Sequence, residues 1–331
     1  MIEAHQLSKH FGTFQAVRSI SLNVQPGEVL ALLGPNGAGK TTTVRMLGAI
    51  LKPTSGWARI NGHDVVNEAQ AVRGMVGLLT EYPGLYGRMR ALEYLDFFGA
   101  LLGIDAQRGR NRAQMLLQQF GMWEAREKRL DSYSKGMRQK IALVRALIHD
   151  PPVMFLDEPT TAMDPQSART VRDAIGELRN AERTILLTTH NLSEAEALAD
   201  RIAIIRGGEI IAEGSIAQLT RQLLGEPVWE VRFDPSYRPE AAQAFFKGIT
   251  TVETITHDAI RYRCPAPAHV NPQLLIRLAS QGIPVIAISE VPRSLEDVYL
   301  RIVDAHRGDT RYSSELQPEL PSEMLVKEVV S

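Results

Sequence analysis

Gly34-Pro35-Asn36-Gly37-Ala38-Gly39-Lys40-Thr41 decides how the rest of this chain is read. The stretch fits G-x-x-x-x-G-K-[ST], the loop that holds nucleotide phosphates. The apolar run Val29-Leu30-Ala31-Leu32-Leu33 precedes it and predicts a buried parallel strand. After it, Val44, Leu47 and Leu51 recur at helical spacing. A glycine-rich loop between a strand and a helix start is the setting this pattern requires. There, backbone N–H groups and the helix dipole favour an anion, and glycines let the backbone come close to phosphates. Lys40 is placed to reach the β- and γ-phosphates, and the Thr41 hydroxyl to bind Mg²⁺. Gly34, Pro35, Asn36, Gly37, Ala38, Gly39, Lys40, Thr41 and Thr42 are therefore the candidate phosphate-binding residues. A glycine-rich turn with an incidental Lys-Thr is the plain alternative, and the flanking strand and helix argue against it.

At 331 residues the chain has room for one large domain and a small one, or two medium ones. It is 44% hydrophobic and 23% charged, which suits a globular protein with a real core. A formal charge of −1 gives no global basic field, so no nucleic-acid partner is expected, although a local basic patch stays open. The single Cys264 forms no internal disulfide, fits a reducing cytosol, and reads as a small buried residue rather than a catalytic thiol. The opening MIEAHQLSKHFG lacks the apolar core of a signal peptide. No apolar run approaches the ~18 residues a membrane span needs. A role at a membrane thus requires another chain to cross it.

Residues 1–28 alternate polar and apolar around Gly12 and Pro26-Gly27, and predict short antiparallel strands. Residues 91–149 look helical, with Leu92, Leu95, Phe98 and Leu102 on one face and Leu116, Leu117 and Phe120 on another. Three strand-like runs follow, Val153–Leu156, Thr184–Thr188 and Ile202–Ile205, separated by helical segments. This alternation predicts an α/β fold: a largely parallel sheet covered by helices, with a helical lobe over about 82–150. Composition changes near Leu224-Gly225-Glu226-Pro227. We expect one domain over 1–224, a small α+β domain over 225–305, and a loose tail over 306–331. In the small domain the expected elements are strand 228–233, helix 239–247, two strands across 250–264, helix 272–281, strand 284–289 and helix 294–303. Their β-α-β-β-α-β order matches a ferredoxin-like split unit.

Val153-Met154-Phe155-Leu156-Asp157-Glu158 is an apolar strand ending in two carboxylates. The carboxyl ends of strands are where an α/β sheet binds its ligand. Asp157 is placed to hold Mg²⁺ and Glu158 to polarise an attacking water. Tyr133-Ser134-Lys135-Gly136-Met137 opens a second helix, whose apolar face is Met137, Ile141, Val144 and Ile148. Ser134 there serves as a plain N-cap, as part of a second anion site, or as both. One nucleotide hardly needs two helix-start phosphate sites in one chain, so the second makes sense as part of a partner molecule's pocket. The other histidines, His5, His10, His63, His149, His257, His269 and His306, are scattered and indicate no metal site. Trp57, Trp123 and Trp229 read as core or lobe-packing residues.

In these motifs the chain resembles the ATP-binding subunit of ATP-binding cassette (ABC) transporters, over residues 1–220. Gly34–Thr41 corresponds to the family's Walker A motif and Val153–Glu158 to Walker B. Tyr133–Met137 stands at the place of the L-S-G-G-Q signature, Thr161-Ala162-Met163-Asp164 resembles the D-loop, and His190 the switch histidine. Phe11 occupies the place of the aromatic that stacks on adenine, and Glu81 the place of the usual Q-loop glutamine. The resemblance implies a P-loop cassette with a helical lobe, ATP and Mg²⁺ as ligands, and Glu158 and His190 as catalytic residues. It further implies phosphate contacts from Ser134, Gly136 and Asp164 in a head-to-tail dimer, and Thr41, Asp157 and Glu81 on the metal side.

Two departures stand out: Lys135 replaces the first signature glycine, and Met137 the glutamine. With Glu81 and the C-terminal domain, S-K-G-M-R-Q-K resembles the drug- and sodium-exporter branch. The resemblance implies an ATPase that powers a separate transmembrane permease for export of a drug, ion or lipid-like cargo, from the cytoplasmic face of the membrane. Its ATPase partner is a second copy or a paralogue. A soluble cassette ATPase acting on ribosomes or DNA repair is the alternative, although such proteins usually carry two cassettes or a long coiled coil.

Overall fold

Hydrophobic periodicity sets the elements of this computed structural model, which describes residues 1–161, 163–180 and 183–306. The alternating N-terminal segment forms β1 (Ile2–Phe11) and β2 (Phe14–Val24), paired antiparallel and longer than the short strands expected. Next come the fully buried β3 (Val29–Leu33) and α1 (Lys40–Leu47). β4 (Ser55–Ile60), β5 (His63–Asp64), α2 (Ala69–Met75) and β6 (Val76–Leu79) lead to the helical lobe. The lobe holds α3 (Ala91–Leu101), α4 (Ala106–Gln119) and α5 (Lys135–Leu147), with two 3₁₀ turns between the last two. Alternation then gives β7 (Val153–Asp157), α6 (Pro165–Asn180), β8 (Thr184–Thr189), α7 (Leu192–Leu198), β9 (Arg201–Arg206), β10 (Glu209–Gly214) and α8 (Ile216–Leu224).

Two sheets build the N-terminal unit. One is antiparallel, in the order β2-β1-β4-β5, and the other runs β10-β9-β3-β8-β7-β6. The second is parallel from β9 to β6 with β10 antiparallel at its edge. β3, β7 and β8 are buried on both faces, which explains their near-continuous apolar sequence. Each fully buried Leu or Phe here contributes roughly 1.5–3 kcal/mol by leaving water. The register aligns Leu33 with Thr189 and Asp157 with Thr188, so the carboxyl ends of these strands meet at one edge.

Two expectations need correcting. Leu102 is exposed, because α3 ends at Leu101 and Leu102 is its C-cap; the buried face carries Ala91, Tyr94, Leu95 and Gly99. Trp57 is not a core residue: it is 42% exposed, stacks on His5 at 5.9 Å, and has Arg59 over its ring at 5.3 Å.

The chain divides into two units, with the break between Ile216 and Ala217. The expected boundary after residue 224 falls at the end of α8, whose first residue closes the N-terminal unit. In the C-terminal unit, β11 (Val228–Phe233), β12 (Thr251–Ile255), β13 (Ala259–Arg263), α9 (Pro267–Ser280), β14 (Val285–Glu290) and α10 (Leu295–His306) follow one another. The strands lie in the order β12-β13-β11-β14, all antiparallel. The helix expected over 239–247 is a 3₁₀ helix, Pro239–Phe245. Val231, Phe233, Phe246, Tyr262, Leu274 and Leu278 form this unit's core, and Cys264 is buried beside them. The expected tail falls outside the described residues, apart from His306 at the end of α10.

Candidate active site

Glycine chemistry shapes the loop between β3 and α1. Gly37 and Gly39 have φ of +80° and +103°, a region that side chains disfavour. At Gly34 a Cβ would sit 2.2 Å from the Ile205 carbonyl oxygen, and at Gly39 2.6 Å from that of Ala16. The loop is therefore pressed against β9 and the start of β2, with its open side at the start of α1. The first N–H groups of a helix lack intrahelical partners, and Gly39 supplies no side-chain cap to α1. A cradle of backbone donors with no room for side chains behind it fits a phosphate chain.

Lys40 is 5% exposed and folds back over this loop. Its Nζ donates to the carbonyls of Gly34 at 2.8 Å and Pro35 at 3.1 Å, and lies 3.2 Å from Oε1 of Glu158. A buried ion pair roughly breaks even against desolvation. Exchanging Glu158 for a phosphate as the counter-charge of Lys40 therefore costs little.

Asp157 ends β7 at 2% exposure. Its Oδ1 accepts from the hydroxyls of Thr41 at 3.1 Å and Thr188 at 2.5 Å. Burial pushes its pKa up, and those two hydroxyls offset part of the shift. A hydroxyl and a buried carboxylate converging at one point form a hard oxygen donor set, which fits Mg²⁺.

Glu158 stands one residue beyond the strand with φ of +50°, an unusual conformation for a side-chain-bearing residue. Its N–H donates to the Thr188 carbonyl at 3.0 Å. The side chain is 6% exposed, and its Oε2 accepts from the Thr161 hydroxyl at 2.8 Å and lies 2.8 Å from Nδ1 of His190. The His190 ring itself is about half exposed. The strained turn thus aims a carboxylate between Lys40 and His190 at the mouth of the cradle.

Ser134, Gly136 and Asp164 form a second group. Ser134 is exposed, caps α5, and accepts from the Met137 N–H at 3.2 Å. A Cβ on Gly136 would lie 2.8 Å from the Ser167 hydroxyl oxygen. Asp164 accepts from the Ser167 N–H at 2.9 Å, so it caps α6, and its bonds to Ser167 lower its pKa. Lys135 is exposed. Among the described residues, no hydrogen bond or ion pair joins this group to Lys40, Thr41, Asp157, Glu158 or His190.

Phe11 ends β1 half-buried, with the Lys9 ammonium 5.0 Å from its ring centroid. Glu81 follows β6, which pairs Leu79 with Leu156 beside Asp157. It is half-buried and makes no recorded hydrogen bond or ion pair among the described residues. Sequence reasoning gives no site role to Thr160, Thr188 and Glu194, and places Thr161 only as part of the D-loop. The threonines read as strand or loop residues, whereas the spacing Asn191-x-x-Glu194 is a capping-box signal. Asn191 does cap α7, its side chain accepting from the Glu194 N–H at 3.3 Å.

Comparison with known proteins bears on this geometry. The family described as ABC transporter matches residues 17–161. The daunorubicin/doxorubicin resistance ATP-binding protein DrrA of Streptomyces peucetius is 37% identical over 96% of this chain and 96% of its own length. Nod factor export ATP-binding protein I of Paraburkholderia xenovorans (strain LB400) is 34% identical over 93% of this chain and 98% of its own length. A solved ATP binding subunit of an ABC transporter superposes with a TM-score of 0.63 at 28% identity, covering 68% of this chain and 94% of that one.

Proposed function

We propose a function for a chain that belongs to the ABC transporter family as one of its ATP-binding subunits. It hydrolyses ATP and so drives a separate membrane-spanning permease, in the direction of export. The observation that carries the reading is the buried Glu158, held between the cradle lysine Lys40 and the half-exposed His190. Glu158 takes the proton of the attacking water. Lys40 and backbone N–H groups of residues 36–42 hold the phosphates, and His190 steadies the γ-phosphate. Thr41 and Asp157, with Glu81 as a further oxygen donor, would hold Mg²⁺, which would neutralise phosphate charge. Phe11 stacks on the base.

A second copy or a paralogue completes each site head-to-tail by adding Ser134, Gly136 and Asp164. The separation of these residues from Lys40 and Glu158 within one chain supports that arrangement. The permease docks on the helical lobe, where Tyr82, Tyr86, Phe97 and Leu101 are exposed. No helix among the described residues is long and apolar enough to cross a membrane. In this reading the chain works from the cytoplasmic face, bound through the permease. Export is supported by the relatives named for drug resistance and Nod factor export.

Co-expression with the integral-membrane chain encoded nearest to it tests the reading. The two should co-purify from detergent-solubilised membranes, with ATPase activity that needs Mg²⁺. A chain that stays in the soluble fraction and hydrolyses no ATP overturns it.

A further inference from the structure

Among the described residues, Glu194 is the most enclosed carboxyl outside the phosphate site, at 1% exposure. Its Oε1 accepts from the Thr160 hydroxyl at 2.7 Å, and its Oε2 makes no hydrogen bond among the described residues. Burying an incompletely paired carboxyl opposes folding, and α7 already has Asn191 as its cap. Its position is informative. Thr160 adjoins Thr161, whose hydroxyl holds Oε2 of Glu158 at 2.8 Å. On the other side, Thr189 adjoins His190, which meets the same oxygen at 2.8 Å. The Thr189 hydroxyl accepts from the Asn191 N–H at 3.0 Å, and the Asn191 side chain in turn accepts from the Glu194 N–H at 3.3 Å. The Thr160–Thr161 arm that fixes Glu158 is thus anchored one residue away on a buried acid.

We infer that Glu194 is a positioning residue, which locks the Thr160–Thr161 segment so that Glu158 keeps its aim. Among the described residues it makes no hydrogen bond to Asp157 or to the nucleotide cradle, and it orients Glu158 through this segment. The inference rests on Glu158 being the base proposed above.

The test pairs kinetics with a nucleotide-free structure. Glu194→Ala should lower kcat on the order of tenfold, the scale of losses from outer-layer partners, and leave KM for ATP within about twofold. Glu194→Gln keeps an acceptor for Thr160 and should restore most of the rate. Thr160→Val keeps the volume, removes the hydroxyl, and should repeat the Glu194→Ala loss. The double variant should then be no worse than either single one. This arm also holds should Glu194→Ala fail to fold. In a crystal structure of Glu194→Ala without nucleotide, Thr161 should have left Glu158.

An unchanged kcat in both Glu194→Ala and Thr160→Val overturns the inference. So does a glutamine variant as slow as the alanine one, or a loss confined to thermal stability. A wild-type chain that hydrolyses no ATP overturns the proposed function, whereas the nucleotide-free structure still decides whether Glu194 holds the Thr160–Thr161 arm.

Discussion

Replacing Glu158 by glutamine separates binding from chemistry, because the same carboxylate serves as base and as partner of the phosphate-loop lysine. At 3.2 Å, and an effective dielectric of about 20, Lys40 and Glu158 attract by about 5 kcal/mol gross. Most of that is offset by desolvation. The amide keeps one acceptor, and Lys40 keeps the carbonyls of Gly34 and Pro35. The net loss of stability should therefore be only about 1–2 kcal/mol, a fall in Tm of a few degrees. Turnover should suffer far more. Losing the group that accepts the water proton costs ~10²–10⁴-fold, or about 3–5 kcal/mol of barrier. ATP binding should hold or tighten, since Lys40 no longer gives up a full counter-charge to reach the phosphates. Single-turnover hydrolysis, titration with ATP and size-exclusion with and without ATP read these three effects, and an ATP-bound dimer should accumulate. Turnover within tenfold of wild type, or ATP affinity weakened more than tenfold, would refute the assignment of Glu158.

Gly34→Ala should destabilise the chain by more than about 1 kcal/mol and abolish ATP binding, because its Cβ would lie 2.2 Å from the Ile205 carbonyl oxygen; thermal melting and ATP titration check this. Glu81→Gln should melt like wild type and keep basal hydrolysis within about threefold, but shift the Mg²⁺ concentration needed for half-maximal rate; an unchanged Mg²⁺ curve removes Glu81 from the metal side. Burial raises the pKa of Glu194, against smaller pulls from Thr189 and Thr160, with Glu158 raising it and Arg172 lowering it further. The folded state then binds the proton more tightly than the unfolded one, so stability falls as pH rises from the ordinary carboxylate range through the raised value. Glu194→Gln should flatten that part of the stability–pH curve, and chemical denaturation from pH 4 to 8 measures it.

The core of the fold was legible wherever one physical demand dominated. Val29–Leu33 and Val153–Leu156 are continuously apolar because both faces of their strands are covered, and the structure buries every one of those residues. The glycines at 34, 37 and 39 were legible because each meets a demand that favours glycine: no room for a Cβ at 34 and 39, and a positive φ at 37 and 39. Strand order was not: β9 and β8 flank β3, and only long-range pairing fixes that. α2 escaped notice because Val72 is its one buried residue, which leaves no apolar stripe to read. The face assigned to α3 ran one residue too far, since periodicity does not mark where a helix stops.

What the sequence hid at the site follows from the same physics. Asp157 and Glu158 announce themselves as charges at the end of an apolar strand. The residues that aim them are threonines, which also suit strands for their branched side chains, so Thr188 in Thr184–Thr189 carries no separate signal. Glu194 was hidden in the opposite way: a glutamate in the first turn of a helix is ordinary surface chemistry. Only the packing of α7 behind β8 turns it into a buried acid within reach of Thr160. The reacting groups are thus legible because their chemistry restricts residue type. The positioning groups are not, because a hydroxyl or carboxyl becomes one only through the neighbours that the fold brings to it.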